Sequence, residues 1–312
     1  MLSKGKTTLT LLLHGELSKV PGLIALNLRR QRAKLGGRPF VHRRLGFPFP
    51  CFPNVPDSLD TYLKGSSDGL ELALVKEWVE PGDSAVDIGA NLGMYSCAVA
   101  SAAGKAAVVL AVEPAPQLAR QIELTSRLLS IEPLAVSETC AGEEPGSTEF
   151  YVAADGTPSG EQSRRSPPGR EGDYVRINVR METLDNLVVA RLLGAAPSFV
   201  KLDVEGAEVA VLRGAERTLD APDNAFWLVE INPNALERFG FRAQDVLGFF
   251  PPGRFERWII PQYPLAAPSR RARLLGDGEA FGDAVYYNLA ALPRAGRFAG
   301  RSPGLRRLLN SA

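Results

Sequence analysis

Several short hydrophobic segments of the sequence end in polar residues that could bind a ligand. The first segment, 85–88, contains Asp87 and runs directly into a turn with glycines at Gly89 and Gly93. Exposed backbone N–H groups in such a turn, at the start of a helix, favour a carboxylate or phosphate ligand. The dinucleotide fingerprint GxGxxG is absent, because Asn91 stands where the middle glycine would be. The turn therefore indicates a nucleotide-like ligand without identifying it.

Glu113 follows the second hydrophobic segment, 107–112, and lies twenty residues after Gly93. A carboxylate at the tip of a second strand can accept hydrogen bonds from both hydroxyls of a ribose. Together, the acid and the glycine turn favour binding of an adenosyl cofactor. The alternative is that Glu113 is only a solvated carboxylate on the surface.

Three more acids follow later segments of the same kind. Asp203 and Glu205 come directly after 198–202, and Glu230 lies near the end of 225–231. An acid in the first turn of a helix stabilises the helix dipole by about 0.3–1 kcal/mol, which is the structural alternative for Glu205. The dipole explains Asp203 less well, so we expect Asp203 to lie beside the cofactor turn.

Hydrophobic segments and helical periods alternate along the chain, which predicts an α/β fold. Buried-strand patterns occupy 85–88, 107–112, 134–136, 198–202, 225–231, 257–260 and 285–290, and helical spacings occupy 70–79, 94–103, 117–129, 208–219 and 243–249. Such alternation predicts a mostly parallel sheet with right-handed crossovers and helices on both faces. Ligands bind beyond the carboxyl ends of strands in these sheets, where the acids above are expected.

Two regions interrupt this alternation. Residues 142–172 are rich in glycine, proline, serine and charged residues, and the patterns around them predict a β-hairpin insertion, 148–153 with 174–179, whose tip near 159–172 is mobile. Prolines and aromatics fill 38–56, which predicts extended chain over the core. We therefore divide the chain into a proline-rich lead-in, a main domain and an arginine-rich tail, at 1–56, 57–292 and 293–312.

The composition limits the classes of function. The chain has 312 residues, 45% of them hydrophobic, which is enough to bury the core of one large domain. Lys and Arg number 36 against 35 Asp and Glu, so we expect no nucleic-acid binding. Three distant cysteines exclude a disulfide framework, and no hydrophobic run reaches the roughly 18 residues that span a bilayer. We therefore expect a cytoplasmic protein.

Basic residues are concentrated at the two ends of the chain. Residues 1–50 hold ten Lys or Arg and one acid, and 293–312 hold five Arg and no acid. Such ends could dock on an anionic membrane or on a lipid-linked, phosphorylated carrier, because each basic residue gains about 1 kcal/mol near an anionic leaflet. The alternative is that both ends are solvated arms.

Six short stretches occur in a characteristic order along the chain. They are VDIGANLGMYS from Val86, VEP from Val112, AVS from Ala135, TLD from Thr183, VKLDVEGAEVAVLRGAERTL from Val200 and WLVEINP from Trp227. In this order they resemble the motifs of the FkbM family of S-adenosylmethionine-dependent methyltransferases. The resemblance covers about residues 60–235, and DVEGAE followed by LRGA is its most specific part.

The resemblance implies a class I methyltransferase (Rossmann-like) fold, with a seven-stranded, mostly parallel sheet and a reversed last strand. It implies S-adenosylmethionine as the cofactor and methylation mainly of hydroxyl groups on sugars, glycans or natural products. It also implies a set of cofactor residues. Asp87, Gly89, Asn91 and Gly93 would hold the methionine moiety, Glu113 the ribose, and Ser137 would lie near the adenine.

A hydroxyl acceptor must lose its proton during methyl transfer. Both histidines, His14 and His42, lie outside the region of resemblance, so carboxylates are the better candidates for the base. We rank Asp203 first, as the base or the group that orients the acceptor, then Glu205 and then Glu230. The same three acids could instead gather Mg²⁺ or Ca²⁺, since hard oxygen ligands suit these ions. The spacing does not decide between the two roles, and a metal is not predicted.

Two other classes of function remain open. An NAD(P)-linked oxidoreductase also needs a glycine turn and a later acid, but the missing GxGxxG and the DVEG sequence argue against it. A non-catalytic protein of the same fold could use its basic ends on membranes or polyanions, since a fold alone does not establish activity. For an enzyme, the segments 142–172 and 250–273 could form the acceptor pocket, with Trp258 and Tyr263 stacked on a sugar.

Overall fold

The computed structural model describes residues 36–64, 66, 68–132, 134–156, 173–192, 195–263, 272–276, 279 and 286–311, together with Leu28 and Gln31. Most of the predicted lead-in before residue 36 and the predicted hairpin tip at 159–172 lie outside the described residues.

Strands and helices alternate through most of the described chain. The strands are β1 (Phe40–His42), β2 (Phe49–Cys51), β3 (Ala85–Ile88), β4 (Val109–Val112), β5 (Leu134–Ser137), β6 (Cys140–Ala141), β7 (Gly146–Ala153), β8 (Tyr174–Glu182), β9 (Phe199–Leu202), β10 (Phe226–Ile231), β11 (Phe255–Tyr263), β12 (Arg273–Leu274) and β13 (Tyr286–Pro293). The helices are α1 (Pro56–Lys64), α2 (Gly69–Trp78), α3 (Met94–Ala103), α4 (Pro116–Leu129), α5 (Leu184–Arg191), α6 (Glu208–Arg213), α7 (Glu216–Asp220), α8 (Pro233–Arg238), α9 (Ala243–Leu247) and α10 (Ser302–Ser311).

Eight strands form the central sheet, in the order β5-β4-β3-β9-β10-β13-β11-β12. Strands β5, β4, β3, β9 and β10 pair in parallel, whereas β13 runs antiparallel to both β10 and β11. The mostly parallel sheet with a reversed last strand is therefore confirmed. The expected number of seven strands is wrong by one, because the two-residue β12 pairs with the outer edge of β11. A two-residue strand is too short to leave a pattern in the sequence.

Helices cover both faces of this sheet, as predicted. Side chains alternate between the two faces along each strand. In β9, Phe199 packs into the core that contains α2, α3 and α10, while Val200 packs into the core that contains α5, α6 and α9. The sheet is therefore buried on both sides, and ligands can reach its strands at their ends.

The predicted hairpin insertion is present as part of a second, smaller sheet. Strands β7 and β8 pair antiparallel from Gly146 opposite Met181 to Ala153 opposite Tyr174, and β6 pairs in parallel with β8. The insertion therefore emerges beside the carboxyl end of β5, close to the expected cofactor position.

The predicted helix at 208–219 is wrong as a single helix. It is divided into α6 and α7 at Gly214, where an added Cβ would lie 2.1 Å from the carbonyl oxygen of Gly142. Helices α1, α5, α8 and α10 were not predicted. Two of them have N-cap side chains that could have signalled them, since Thr183 accepts from Asn186 N and Asn232 accepts from Ala235 N.

The arginine-rich C-terminal residues fold onto the main sheet instead of forming a solvated arm. Helix α10 packs against α2, and Leu305 and Leu309 are fully buried there. All five arginines of 293–312 lie within 4.0 Å of a carboxylate: Arg294 and Arg306 pair with Glu256, Arg297 with Asp223, Arg301 with Glu80 and Asp83, and Arg307 with Glu77. Acids of the same chain thus match the positive charge of this end.

Within the described residues, every helix is too short or too polar to traverse a bilayer. The three-part division of the chain stays a prediction.

Replacing Leu305 of α10 with alanine should lower the free energy of unfolding by about 2–5 kcal/mol, because this side chain is fully buried in the core against which α10 packs. Urea unfolding followed by circular dichroism would measure this loss. The control is Arg307→Ala on the same helix, whose side chain is 75% exposed and whose removal should change stability by less than about 1 kcal/mol. Equal effects of the two substitutions would contradict the packing of α10.

Candidate active site

A cleft opens beyond the carboxyl ends of β3, β4 and β9. It holds about 730 Å³ of empty space, part of it open to solvent. Its walls come from the turn after β3, the residues after β4, the tip of β9 and the insertion. Because these strands are neighbours in a parallel sheet, their carboxyl ends meet at one edge, as the sequence predicts.

The turn after β3 lies in close contact with the tip of β9. Gly89 has a φ of +76°, and an added Cβ would lie 1.7 Å from the carbonyl oxygen of Asp203. Asn91 also has a left-handed backbone, with a φ of 52°. Its N–H donates to Glu113 Oε2 at 2.8 Å, whereas its Oδ1 is buried without a hydrogen-bond partner. A buried acceptor left unsatisfied beside a cleft fits a ligand that brings a donor.

Glu113 lies where the sequence predicts it, with one face toward the cleft. The side chain accepts from Asn91 N at 2.8 Å and from Ala115 N at 2.9 Å. A carboxylate offers about four acceptor positions, so it can accept two further hydrogen bonds from a ligand. Burial raises the pKa of Glu113 to about 7, and the two backbone donors offset only part of that effect.

Asp87 and Ser137 make hydrogen bonds that connect the elements around the cleft. Asp87 accepts from Ser96 N at 2.8 Å and from Ser96 Oγ at 2.6 Å, which ties β3 to α3, and burial raises its pKa to about 6. The Ser137 hydroxyl lies 2.9 Å from Thr139 Oγ1, and the Ser137 carbonyl accepts from Glu113 N at 3.0 Å. Their contact with a cofactor stays a prediction.

The remaining glycine of the turn, Gly93, begins α3 with a φ of +78°. A Cβ there would come within 3.3 Å of the Ile122 side chain. Gly93 therefore lets α4 pack closely against the turn, and this packing helps to position Asn91.

Cys140, Ala141 and Phe150 also line the cleft. The sequence assigned residues 142–172 to the acceptor pocket, and Phe150 of that segment lines the cleft that contains Glu113. Cys140 and Ala141 were not singled out, because their contact with the cleft depends on tertiary packing. By contrast, Trp258 is not an acceptor-stacking residue, because it is 5% exposed and its Nε1 donates to Glu256 at 2.8 Å. The side chain of Tyr263 lies outside the described residues.

The three candidate bases meet at the tips of β9 and β10. Asp203, Glu205 and Glu230 each have a carboxylate oxygen within 4.8 Å of the others. Asp203 accepts from Lys201 Nζ at 3.2 Å, and Glu230 accepts from the hydroxyl of Tyr286. The predicted association of these acids is therefore present in the structure.

Their environments separate the three acids chemically. Burial, followed by the charge of Asp203, raises the pKa of Glu230 well above its usual value. Burial, followed by the charges of Asp203 and Glu208, raises the pKa of Glu205 to about 7. Burial and the neighbouring charge of Asp203 thus favour the protonated form of Glu230. The Asp203 side chain is 33% exposed and paired with an ammonium, which leaves it as the accessible carboxylate.

A second cleft lies beside Asp203 and holds about 640 Å³ of empty space, part of it open to solvent. It shares Gly89, Asn91 and Asp203 with the first cleft. It adds polar groups from α1, from the N-cap residue of α2 and from α3, which include Asp57, Thr61, Asp68 and Tyr95. Asp203 thus lies at the junction of two spaces, where groups from two ligands could meet.

The acidic cluster does not fit a divalent cation as built. Carboxylate oxygens are suitable ligands for Mg²⁺ or Ca²⁺. However, the ammonium of Lys201 is already 3.2 Å from Asp203 Oδ2, and Tyr286 is hydrogen-bonded to Glu230. A divalent ion bound by these oxygens would be repelled by the buried ammonium.

Residues 87–257, more than half of the chain, match the model of the methyltransferase FkbM domain. The chain belongs to the FkbM methyltransferase family. The resemblance seen in the sequence is therefore confirmed, and the sheet order described above is that of a class I methyltransferase. FkbM proteins form a family of S-adenosylmethionine-dependent methyltransferases, and the matched region contains both the glycine turn and the acidic cluster.

No curated protein matches the sequence. Among solved structures, the chain is similar to methyltransferase FkbM from Methylobacillus flagellatus KT, with 14% identity and a TM-score of 0.39, over 88% of this chain and 60% of that one. It is similar to a SAM-dependent O-methyltransferase from Thermotoga maritima, with 15% identity and a TM-score of 0.36, over 71% and 63% of the two chains. It is also similar to a precorrin-6y C5,15-methyltransferase from Geobacter metallireducens GS-15, with 12% identity and a TM-score of 0.40, over 72% and 87%. The chain thus spans 60% of the length of the Methylobacillus protein.

Substituting Gly89 with alanine should destabilise this FkbM protein more than the same change at Gly82. Both glycines have a positive φ, of +76° and +89°, so both substitutions strain the backbone by about 1–2 kcal/mol. A Cβ at Gly82 meets nothing within 4 Å, whereas at Gly89 it lies 1.7 Å from a backbone oxygen. Urea unfolding should therefore show a loss for Gly89→Ala that is larger by at least about 2 kcal/mol. Similar losses at the two positions would show that the β3 turn and the β9 tip are further apart.

The buried acids of the site predict that stability falls as pH rises. Burial raises the pKa of Asp87 to about 6 and the pKa values of Glu113, Glu205 and Glu208 to about 7. The folded state therefore binds more protons than the unfolded chain between about pH 4 and pH 7, and stability decreases across that window. The lowered pKa of His42 acts in the opposite direction but involves one proton.

We expect the free energy of unfolding without ligand to fall by about 2 kcal/mol or more between pH 5 and pH 8. Urea titrations at constant ionic strength would measure it. Glu113→Gln should flatten the profile, and Glu123→Gln on the exposed side of α4 should not. A profile that is level or rises with pH would contradict the burial of these acids.

Proposed function

We propose that this protein transfers a methyl group from S-adenosylmethionine to a hydroxyl oxygen of a sugar, a glycan or another small natural product. The main support is the position of Asp203 at the junction of the two clefts. The first cleft has the acceptors that an adenosyl ligand requires, and the second is lined by groups that can bind hydroxyls. A single carboxylate can therefore face the acceptor oxygen at the point where the methyl group arrives.

In the first cleft, the chain's own residues would orient the cofactor. Glu113 would accept hydrogen bonds from the ribose hydroxyls with the acceptor positions that Asn91 N and Ala115 N leave open. The buried Oδ1 of Asn91 would accept a further donor from the ligand. Phe150 and Leu118 would contribute apolar contact to the purine. When bound, S-adenosylmethionine supplies a methyl group attached to a positively charged sulfur.

At the junction, Asp203 would position the acceptor and take its proton. Transfer forms a bond between the acceptor oxygen and the methyl carbon while the bond between that carbon and sulfur breaks. The hydroxyl proton would pass to the Asp203 carboxylate as the oxygen becomes positively charged. The electrons of the broken bond would stay on sulfur, which leaves S-adenosylhomocysteine with an uncharged sulfur. A base placed in this way contributes about 10²–10⁴-fold to a rate, and alignment of the reacting atoms supplies much of the remainder.

Glu205 and Glu230 would have supporting roles. Burial and the charge of Asp203 favour the protonated form of Glu230, so the more exposed Asp203 would be the proton acceptor. Glu205 has a left-handed backbone, with a φ of 56°, and lines the first cleft, so it would contact the ligand bound there. We propose no metal in this reaction.

The partners and the location are further parts of this proposal. The acceptor is a small molecule or glycan, with no nucleic acid, and the enzyme is cytoplasmic. Peripheral contact with an anionic membrane or a lipid-linked carrier would depend on the N-terminal basic residues, because the C-terminal arginines are already paired with acids.

Calorimetric titration of the purified chain with S-adenosylmethionine and S-adenosylhomocysteine tests the cofactor. We expect a dissociation constant on the order of micromolar for both, with NADH and NADPH giving no heat of binding. Glu113→Ala should weaken binding by at least about 100-fold, because a bidentate charged acceptor is lost, and Glu149→Ala on the insertion should not. If neither adenosyl ligand bound, the methyltransferase proposal would be wrong and the non-catalytic alternative would be favoured.

Transfer of a labelled methyl group to a panel of sugars and hydroxylated natural products then tests the acceptor class. Asp203→Asn should lower kcat by at least about 100-fold while leaving the affinity for S-adenosylhomocysteine within about threefold of the wild type. Labelling of an amine or carbon atom in preference to oxygen would contradict O-methylation.

A further inference from the structure

A buried lysine, Lys201, lies directly beside the acidic cluster, and the sequence analysis assigned it no role. It is the third residue of β9, and its side chain is 3% exposed. In the sheet it stands opposite Asp87 of β3 and Leu228 of β10. Its side chain therefore leaves the sheet on the same face as Asp87 and reaches the floor of the second cleft.

The contacts of Lys201 stabilise its charged form. Nζ donates to Asp203 Oδ2 at 3.2 Å and lies 5.4 Å from the centre of the Tyr95 ring. Burial alone would lower the pKa of Lys201, but the charges of Asp203, Glu230 and Asp68 outweigh it and the pKa is raised. The side chain is thus a fixed ammonium within the site.

The ammonium of Lys201 lies where it can offset the repulsion among the three carboxylates. Three carboxylates whose oxygens lie within 4.8 Å of one another repel strongly unless protons or a cation compensate them. Lys201 supplies a positive charge next to Asp203, with Nζ 3.2 Å from Oδ2. This charge provides compensation that a divalent cation would otherwise give.

The contact also restricts the orientation of Asp203. Its side chain is 33% exposed, so without a partner it could rotate toward solvent. A charge-assisted hydrogen bond to a buried donor fixes one oxygen and directs the carboxylate toward the junction of the clefts. Tyr95 stabilises the lysine from the other side, and its own hydroxyl donates to Asp68 at 3.1 Å.

We propose that Lys201 is a positioning residue of the transfer site: its ammonium orients the Asp203 carboxylate and takes the place of a divalent cation in the acidic cluster. This inference deepens the proposed function and rests on it for the role of Asp203. Its electrostatic part can be tested without any knowledge of the acceptor.

Titration with Mn²⁺ alone tests whether the Lys201 ammonium takes the place of a divalent cation. The electron paramagnetic resonance signal of free Mn²⁺ measures how much of the ion is bound. The wild type should show no saturable site that depends on Asp203. Lys201→Met retains the length of the side chain without its charge, and should bind Mn²⁺ at least about tenfold more tightly than the wild type. Adding Asp203→Asn to that variant should remove the new site, and Lys201→Arg should behave like the wild type.

The matched control is Lys76→Met, which removes an exposed lysine from α2 and should leave Mn²⁺ binding unchanged. Saturable Mn²⁺ binding to the wild type that Asp203→Asn abolishes would overturn the inference, and this result needs no lysine variant to be folded. Folded Lys201→Met and Lys201→Gln proteins that bind Mn²⁺ no better than the wild type would also overturn it.

The orienting role of Lys201 can be measured by enzyme kinetics once a hydroxylated acceptor that receives the labelled methyl group has been identified. Lys201→Met should lower kcat by about 100-fold with the KM for S-adenosylmethionine within about threefold of the wild type, and Lys201→Arg should restore at least about a tenth of the activity. An unchanged kcat in folded Lys201→Met would overturn this role. Failure of the wild type to bind S-adenosylmethionine would instead refute the proposed function, and the Mn²⁺ titration distinguishes the two failures.

Discussion

The close approach of the β3 turn to the tip of β9 is the constraint on which the site depends. Asp203 N donates to the carbonyl of Ile88 at 3.0 Å, and the Asp203 carbonyl occupies the space that a side chain at position 89 would need. Because the two strands are neighbours, one glycine lets the β3 turn contact the residue that carries the Asp203 carboxylate. The two clefts share this junction, so backbone packing determines how they lie relative to each other.

Electrostatics supplies the second part of the arrangement. The carboxyl ends of the central strands carry acids that burial would neutralise, and each has a different form of compensation. Glu113 accepts two backbone N–H groups, Asp87 is bonded to Ser96, and Asp203 is paired with Lys201. Burial favours the protonated form of Glu230. One sheet edge therefore presents four acids, each in a different electrostatic environment.

The sequence predicted the elements that have strong local patterns. Strand β3 and helix α3 begin and end where expected, since a buried run, a glycine turn and a small-residue helix follow one another without interruption. Helices α5 and α8 have eight and six residues, so their period was too short to recognise. The division of 208–219 depends on the Gly142 carbonyl, which approaches Gly214 from a distant part of the chain and leaves no local signal.

For the candidate site, the sequence placed the acids but not their partners. Asp203, Glu205 and Glu230 could be grouped because they end adjacent parallel strands, whereas the contacts of Phe150 with the cleft depend on how the insertion packs. Lys201 did carry a signal, since a charged residue inside a buried-strand pattern must find a partner or lose its charge. Its partner, Asp203, follows directly after β9, and the charge of Lys201 also explains why three carboxylates can lie together. Burying these charges is unfavourable to the fold itself, and such a cost is retained where a ligand or a reaction makes use of it.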